Sequence, residues 1–185
     1  MERAAYNRRM PFRRTRKTYD EAALFEYAVG ALGRRMRSVA EMKRLLRQRV
    51  TAQEDGNALI ESVISRLKEL RYLNDSQYAA AYSSFRRDNE KFGRQRVITD
   101  LKGRGVHGEV IDKAVGEAYD GVNEEKLARD FLRRKRMVKP ANERQAARIF
   151  RALMRGGFSM KTALTVLKKW KVEDEVLSLL ESEQE

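Results

Sequence analysis

The feature that most constrains this fold is an internal repeat of a short helical unit. Residues 101–106 (LKGRGV) match residues 153–158 (LMRGGF) and, with a short insertion after them, residues 45–50 (LLRQRV). When the three copies are aligned in this way, the apolar residues that follow each copy fall at matching positions as well. Self-similarity at a fixed period is typical of stacked helical modules, so the chain is expected to form a tandem array.

Each copy of the unit predicts three short helices. In the middle copy, apolar residues recur at helical spacing in three stretches, which glycines separate. The three stripes are Tyr78, Ala81, Tyr82 and Phe85; Val97, Ile98 and Leu101; and Ile111, Ala114, Val115 and Ala118. The sequence therefore predicts an all-α fold of tandem three-helix, helix-turn-helix-like repeats in an elongated, curved stack. A module of about fifty residues is marginal as a lone core, so neighbouring modules are expected to bury each other's faces.

The repeat divides the chain into five segments. We predict a basic flexible arm at residues 1–17, three-helix repeats at 18–73, 74–121 and 122–181, and an acidic tail at 182–185. The net charge of +13 is concentrated towards the ends, because the first 18 residues carry seven basic side chains and one acidic side chain. Positive ends indicate an anionic partner: nucleic acid, an acidic protein surface or, with less support, a membrane.

Polar residues mark where several helices begin and end. Ser38 and Glu41 form the Ser-x-x-Glu pattern of a capping box, in which each side chain accepts a backbone N–H of the other residue. Further N-caps are predicted at Asn74, Asn142 and Ser159. A long helix that begins at Glu124 is expected to stop at Pro140, whose ring removes a backbone donor.

Composition argues against catalysis and cofactor binding. The chain has no cysteine and one histidine, His107, so it lacks the usual ligands of transition metals. Residues 103–108 spell GxGxxG, but a helical stripe precedes them where a dinucleotide site needs a strand. Carboxylates lie among basic residues on apparently solvated faces, and no catalytic pair can be singled out. We expect a non-enzyme without a cofactor or metal.

The same composition suggests where the protein acts. No apolar run is long enough to span a bilayer, and the basic N-terminus lacks the apolar core of a signal peptide. The absence of cysteine fits a reducing compartment. We therefore expect a cytoplasmic protein without a membrane partner.

The leading candidate for a binding surface is the helix predicted from Asn142 to Arg155. At about 100° per residue, four arginines fall within an arc of roughly 60°, opposite an apolar stripe. They are Arg144, Arg148, Arg151 and Arg155. No acidic residue shares that face between Arg148 and Arg155, so pairing within the helix cannot neutralise it. The alternative is a face that meets only solvent.

Two further basic groups are candidates for partner or DNA contact. One is the run Arg133, Arg134, Lys135 and Arg136; the other, in the second repeat, is Arg94, Arg96, Lys102 and Arg104. Residues 93–96 (GRQR) open a predicted helix and could read base edges, as a DNA-recognition helix does. A solvated helix end is the interpretation that we favour for them.

The order of these features resembles the RecX family, the regulators of the RecA recombinase. The family's Gly-Tyr-Leu-Asp-Asp segment looks like residues 71–75 (RYLND), and its Lys-Gly-x-Gly-Val segment looks like residues 102–106 (KGRGV). Its Arg-Gly-Phe-Ser segment is similar to residues 156–159 (GGFS). The resemblance implies a structural role for the residues that match the family's motifs: Tyr72, Leu73, Asp75, Tyr78, Gly93, Leu101, Gly105, Gly157 and Phe158. Tyr72 and Leu73 are expected to plug the joint between the first two repeats.

The resemblance covers nearly the whole chain after the arm, and it implies a function. Members of that family bind in the groove of the RecA–DNA filament and suppress its ATP hydrolysis and strand exchange in recombination, DNA repair and the SOS response. The implied partners are the RecA filament and, more weakly, single- or double-stranded DNA, with the protein acting as a monomer. The alternative is a helix-turn-helix DNA-binding protein that acts without RecA, which would bind DNA strongly on its own.

Overall fold

Ten helices make up the described part of the computed structural model, which covers residues 19–50 and 55–182. They are α1 (Glu21–Arg34), α2 (Val39–Val50), α3 (Gly56–Glu69), α4 (Asp75–Asp88), α5 (Arg94–Gly103), α6 (Gly108–Ala118), α7 (Glu124–Arg134), α8 (Glu143–Arg155), α9 (Met160–Lys169) and α10 (Asp174–Ser182). No strand occurs within these ranges, and the predicted all-α class is confirmed. The predicted basic arm and the last three residues of the predicted tail lie outside the described residues.

The helices form three modules, and each module has an apolar core of its own. Module 1 (α1–α3) surrounds Leu46 and Leu67, module 2 (α4–α6) surrounds Leu101 and Ile111, and module 3 (α7–α10) surrounds Phe150. Helices pack mainly against helices of their own module. Burial between neighbouring modules is limited to their edges, where Phe92 and Tyr119 pack against the cores of both modules 2 and 3.

The predicted N-caps are confirmed by hydrogen bonds in the first turn of each helix. Ser38 and Glu41 complete the capping box, since the Ser38 hydroxyl accepts from the Glu41 amide at 3.1 Å and the Glu41 carboxylate accepts from the Ser38 amide at 3.2 Å. Side-chain oxygens of Asn74, Asn142 and Ser159 likewise accept backbone N–H groups two or three residues later.

Module 3 differs from the sequence prediction in the end of one helix and in the number of its helices. The helix that starts at Glu124 ends at Arg134, well before Pro140, because Arg136 adopts a left-handed conformation with φ 54°. The Met137 amide then donates to the Leu132 carbonyl at 2.9 Å and closes the helix end. A fourth helix, α10, also joins this module, where only three were expected.

The modules are joined by turns that pack on helix starts. The first residues of α5 sit on the turn between α8 and α9: the Gly93 amide donates to the Gly156 carbonyl at 2.8 Å, and the Gln95 amide donates to the Gly157 carbonyl at 3.2 Å. A Cβ on Gly93 would lie 2.2 Å from the Gly157 carbonyl oxygen, so only glycine permits this approach. We call this contact the module 2–3 junction.

The junction between modules 1 and 2 is built in the same way. The start of α2 sits on the turn between α5 and α6, where the Ser38 hydroxyl donates to the Arg104 carbonyl at 2.7 Å. Gly105, with φ 75°, occupies the place that Gly157, with φ 84°, takes in the other junction. A Cβ on Gly105 would lie 2.5 Å from the Cβ of Ala40.

Tyr72 does not plug the joint between the first two modules. Tyr72 is 53% exposed and follows Arg71, which has a left-handed φ of 58°. Leu73 is buried, but in the core of module 1 rather than between modules. The joint depends instead on Asp75, whose carboxylate accepts from the Val39 amide at 2.9 Å.

Candidate partner-binding groove

The module 2–3 junction forms one side of an open groove of about 470 Å³, which we call the junction groove. Four cationic side chains line it: Arg96, Lys135, Arg148 and Arg155. These residues come from α5, from the turn after α7 and from one face of α8, where Arg148 and Arg155 lie about two turns apart. The fold thus brings together members of all three basic groups that the sequence suggested, and none of the described residues that line the groove is acidic.

The floor of the groove is apolar. Phe92, Met137 and Ala152 are half-buried there, and the ring of Phe131 lies beneath them at 3% exposure. The Phe92 and Phe131 rings are in contact, with centroids 5.8 Å apart. None of these floor residues was predicted from the sequence as part of a site. The double glycine at 156–157, which lets the turn approach α5, is the only local signal that could have indicated the groove.

Three of the four cations have no anionic partner in the part of the chain that the structure describes. Among the described residues, Lys135, Arg148 and Arg155 form no ion pair, and all three are exposed. Arg96 is held in place, since its Nε donates to the Asp100 carboxylate at 3.0 Å. The described residues therefore leave the groove with a net positive charge.

Asp100 is the group that fixes the wall of the groove on the side of module 2. Its carboxylate also accepts from Arg86 at 2.6 Å and from the Tyr82 hydroxyl at 3.0 Å. Burial alone would raise the pKa of Asp100, but the hydrogen bonds from Arg86 and Tyr82 and the charge of Arg96 outweigh it and lower the pKa. Asp100 is therefore ionised at neutral pH and orients Arg96.

Arg104, a predicted partner contact, is engaged within the protein. Its guanidinium donates to the Glu41 carboxylate at 2.7 Å and to the Tyr78 hydroxyl at 3.1 Å, and so ties module 2 to module 1. It also lies 4.7 Å from the centroid of the Tyr82 ring. A partner that contacts Arg104 would compete with these internal bonds, although 32% of the side-chain surface stays exposed.

The other predicted cations are exposed but do not line the groove. On α8, Arg144 and Arg151 are exposed beside the two groove arginines. Arg133 pairs with Asp130, one turn earlier in α7. The remaining members are Arg94, Lys102, Arg134 and Arg136, all at the surface. The four-arginine face of α8 is thus confirmed as a surface, of which half faces the groove.

The predicted structural residues mostly lie where packing needs them. Tyr78, Leu101 and Phe158 are buried, and Phe158 packs on Phe131 with ring centroids 5.4 Å apart. The described residues hold no group of three or more His, Cys, Asp and Glu side chains that could bind a metal ion. No helix among them is both long and apolar enough to cross a membrane.

Comparisons with known proteins agree with this architecture. Residues 74–115 match the family model described as RecX, second three-helix domain. The chain is 30% identical to the regulatory protein RecX of Streptomyces coelicolor over 129 residues, which are 69% of this chain and 68% of that protein. It is 31% identical to that of Herbaspirillum seropedicae over 67% of this chain and 77% of that protein. Against the Bacillus pumilus relative, at 30% identity, it spans 51% of that protein's length.

A solved structure shows the same fold. The crystal structure of RecX from Lactobacillus salivarius superposes with a TM-score of 0.57 at 20% identity, over 82% of this chain and 96% of that chain. Fold and groove together define a class, an all-α protein of tandem three-helix modules with a cationic groove where two modules meet. Within that class, the sequence relatives assign the particular family. The chain belongs to the RecX family of regulatory proteins.

Proposed function

We propose that the protein is a non-catalytic regulator of recombination that binds the RecA–DNA filament as a monomer and lowers its ATP hydrolysis and strand exchange. Membership of the RecX family supports the identity of the partner. The observation that carries the proposal is the convergence of four cations from both sides of the module 2–3 junction on one groove. A filament of protein and DNA offers carboxylates and phosphates, which guanidinium groups bind in a bidentate manner.

The groove is suited to an anionic partner for a second reason. Lys135, Arg148 and Arg155 have no ion pair among the described residues, so their charges are not already compensated. Surface cations of this kind raise the rate of association with an anionic partner and lose that effect in high salt. Weaker, electrostatic contact with DNA belongs to the same proposal.

The alternative is a helix-turn-helix protein that reads DNA without RecA. The helix that would read base edges, α5, has its first turn against module 3, where Gly93 and Gln95 donate to carbonyls of the α8–α9 turn. A recognition helix contacts bases with its N-terminal residues. At this end of α5 the backbone is held against module 3, while the side chains of Arg94, Gln95 and Arg96 stay exposed. The start of α2 is held against module 2 through the Ser38 hydroxyl.

ATP hydrolysis by a RecA filament, titrated with the protein, tests the proposal. The wild type is expected to lower the rate at stoichiometric concentration. A double charge reversal in the groove, Arg148→Glu with Arg155→Glu, is expected to abolish that effect while circular dichroism and melting temperature stay near wild type. The matched control is Lys113→Glu with Lys161→Glu, which makes the same charge change at exposed positions away from the groove.

Two outcomes would contradict the proposal. The wild type could leave both ATP hydrolysis and strand exchange unchanged while it binds naked duplex DNA tightly and sequence-specifically, which would favour the DNA-binding alternative. The groove variant and the control could also inhibit equally well, in which case the groove would be a solvated surface and the contact would lie elsewhere.

A further inference from the structure

We propose that the junction groove binds an acidic peptide segment that carries one large apolar side chain. The inference deepens the proposed function, on which it rests only for the source of such a segment on a protein partner. The groove, at about 470 Å³, lies in the size range of sites that enclose a small ligand. It has two chemically distinct parts, a cationic rim and an apolar floor, and the ligand must satisfy both.

The floor requires an apolar group. Phe92, Met137 and Ala152 each keep part of their surface in contact with water at the bottom of the groove. A phosphate or a carboxylate bound at the rim would leave that surface hydrated. A Phe, Leu or Met side chain of a partner would bury it, and one such anchor in a central pocket commonly dominates the energy of an interface.

The rim requires negative charge on both sides of the anchor. Arg148 and Arg155 are seven residues apart on α8 and therefore about two turns, or roughly 10 Å, apart along one face. Lys135 lies on the other side, close above the floor, with its ammonium 5.8 Å from the Phe131 ring centroid. Carboxylates that flank an apolar residue in an extended peptide can reach these positions together, and guanidinium groups bind carboxylates in a bidentate manner.

The aromatic rings of the floor favour a peptide over single-stranded nucleic acid. Proteins bind single-stranded nucleic acid of any sequence more tightly when its bases stack on exposed faces of aromatic rings. Two guanidinium groups lie over the ring of Phe92 and would compete with a stacking base for its faces, with Arg86 at 4.8 Å and Arg96 at 5.6 Å from its centroid. The ring of Phe131 is covered by Lys135 and by neighbouring phenylalanines. A strand of DNA would therefore be held through its phosphates alone.

Fluorescence anisotropy with three labelled probes tests this inference on the full-length protein. The first probe is a short synthetic peptide of Asp and Glu with one central Phe, the second has Ala in place of that Phe, and the third is an oligothymidylate of equal net charge. The Phe peptide is expected to bind best, and the Ala peptide about tenfold more weakly, because an anchor residue usually contributes more than a tenfold change in affinity.

Variants of the protein locate the probe in the groove. Arg148→Glu with Arg155→Glu is expected to weaken binding of the Phe peptide at least about tenfold through lost charge-assisted contacts, whereas Lys113→Glu with Lys161→Glu is expected to leave it unchanged. Ala152→Glu, a helix-compatible change that puts a carboxylate on the floor, should remove the preference for Phe over Ala. Circular dichroism confirms that each variant is folded.

The inference is overturned if the Phe and Ala peptides bind equally, if the oligothymidylate binds more tightly than either peptide, or if no peptide binds the wild type. The same protein preparation is also assayed for inhibition of RecA ATP hydrolysis. This assay tests the proposed function independently of peptide binding. A protein that inhibits the filament but ignores the peptides would retain the proposed function and contact its partner through another chemistry.

Discussion

Gly93→Ala should open the module 2–3 junction while leaving the modules themselves folded. The Cβ would lie 2.2, 2.4 and 2.7 Å from backbone atoms of Gly157 and Phe158, and backbone atoms cannot move aside as the end of a side chain can. The hydrogen bonds of the amides at 93 and 95 are then lost. At about 0.5–1.5 kcal/mol for each bond, the variant should be less stable by about 1–3 kcal/mol.

Amide hydrogen exchange measures this effect at the residues concerned. The amides at positions 93 and 95 should lose protection, whereas the amide of Leu153 in the core of module 3 should keep it, because that core does not depend on the junction. Gly116→Ala is the matched control: this glycine lies within α6 and a Cβ there would meet no atom within 4 Å. The control should be more stable than wild type by about 0.5–1 kcal/mol, the difference in helix propensity.

The reasoning would be refuted if Gly93→Ala retained wild-type stability with equal protection at both amides. It would also fail if protection were lost throughout modules 2 and 3 together, since the cores would then depend on the junction for their stability.

Three further changes test other parts of the structure. Arg136→Gly should raise the free energy of unfolding by about 0.5–1 kcal/mol, because a left-handed conformation costs an L-residue roughly 1–2 kcal/mol and glycine gives part of this back as chain entropy; urea denaturation would show it, and Arg134→Gly, within α7, should lower stability instead. Trp170→Ala should cost about 1–3 kcal/mol, less than for a fully buried aromatic residue, since Trp170 packs half-buried on the core of module 3; an indole fluorescence spectrum typical of full exposure to water would contradict this placement. Glu124→Gln should make the free energy of unfolding less dependent on pH in acid. Burial alone would raise the pKa of Glu124, but hydrogen bonds from Thr162 and Ser159 outweigh burial and lower the pKa. The stabilisation is thus present above the unfolded pKa of about 4.3 and is lost as the pH falls through the lower folded pKa, so the variant should be less stable than wild type above that window and the difference should disappear as the pH falls through it.

Local features of this fold could be predicted from the sequence because their causes are local. A capping box such as Ser38 and Glu41 needs only residues three apart, and the apolar stripe of a helix such as α8 follows from its period. The end of α7 was misplaced because the left-handed conformation of Arg136 has no glycine to signal it. Nothing in the side chain of an arginine distinguishes that position from a continuing helix.

The groove could be predicted only in part. The cations of α8 were found because an arginine face without acidic neighbours is visible in the sequence. The bonds that Arg104 makes within the protein were not visible. Its partner Glu41 is 63 residues away in the sequence, and the contact between them depends on how the modules meet. The apolar floor was missed for the same reason, since Phe92 and Met137 resemble ordinary core residues until the junction places them at one surface.

The junction groove is a property of the contact between two modules and of neither module alone. Arg96 reaches it from module 2, while Arg148 and Arg155 reach it from module 3, and the backbone contact at Gly93 sets their separation. Charge and geometry can therefore be removed independently. Gly93→Ala keeps every cation but no longer fixes their relative positions. Arg148→Glu with Arg155→Glu keeps the contact between the modules and reverses the charge of these two side chains. If partner binding needs the groove as a shaped site, both variants should lose it; if only net positive charge matters, the glycine variant should bind as well as wild type with an unchanged salt dependence.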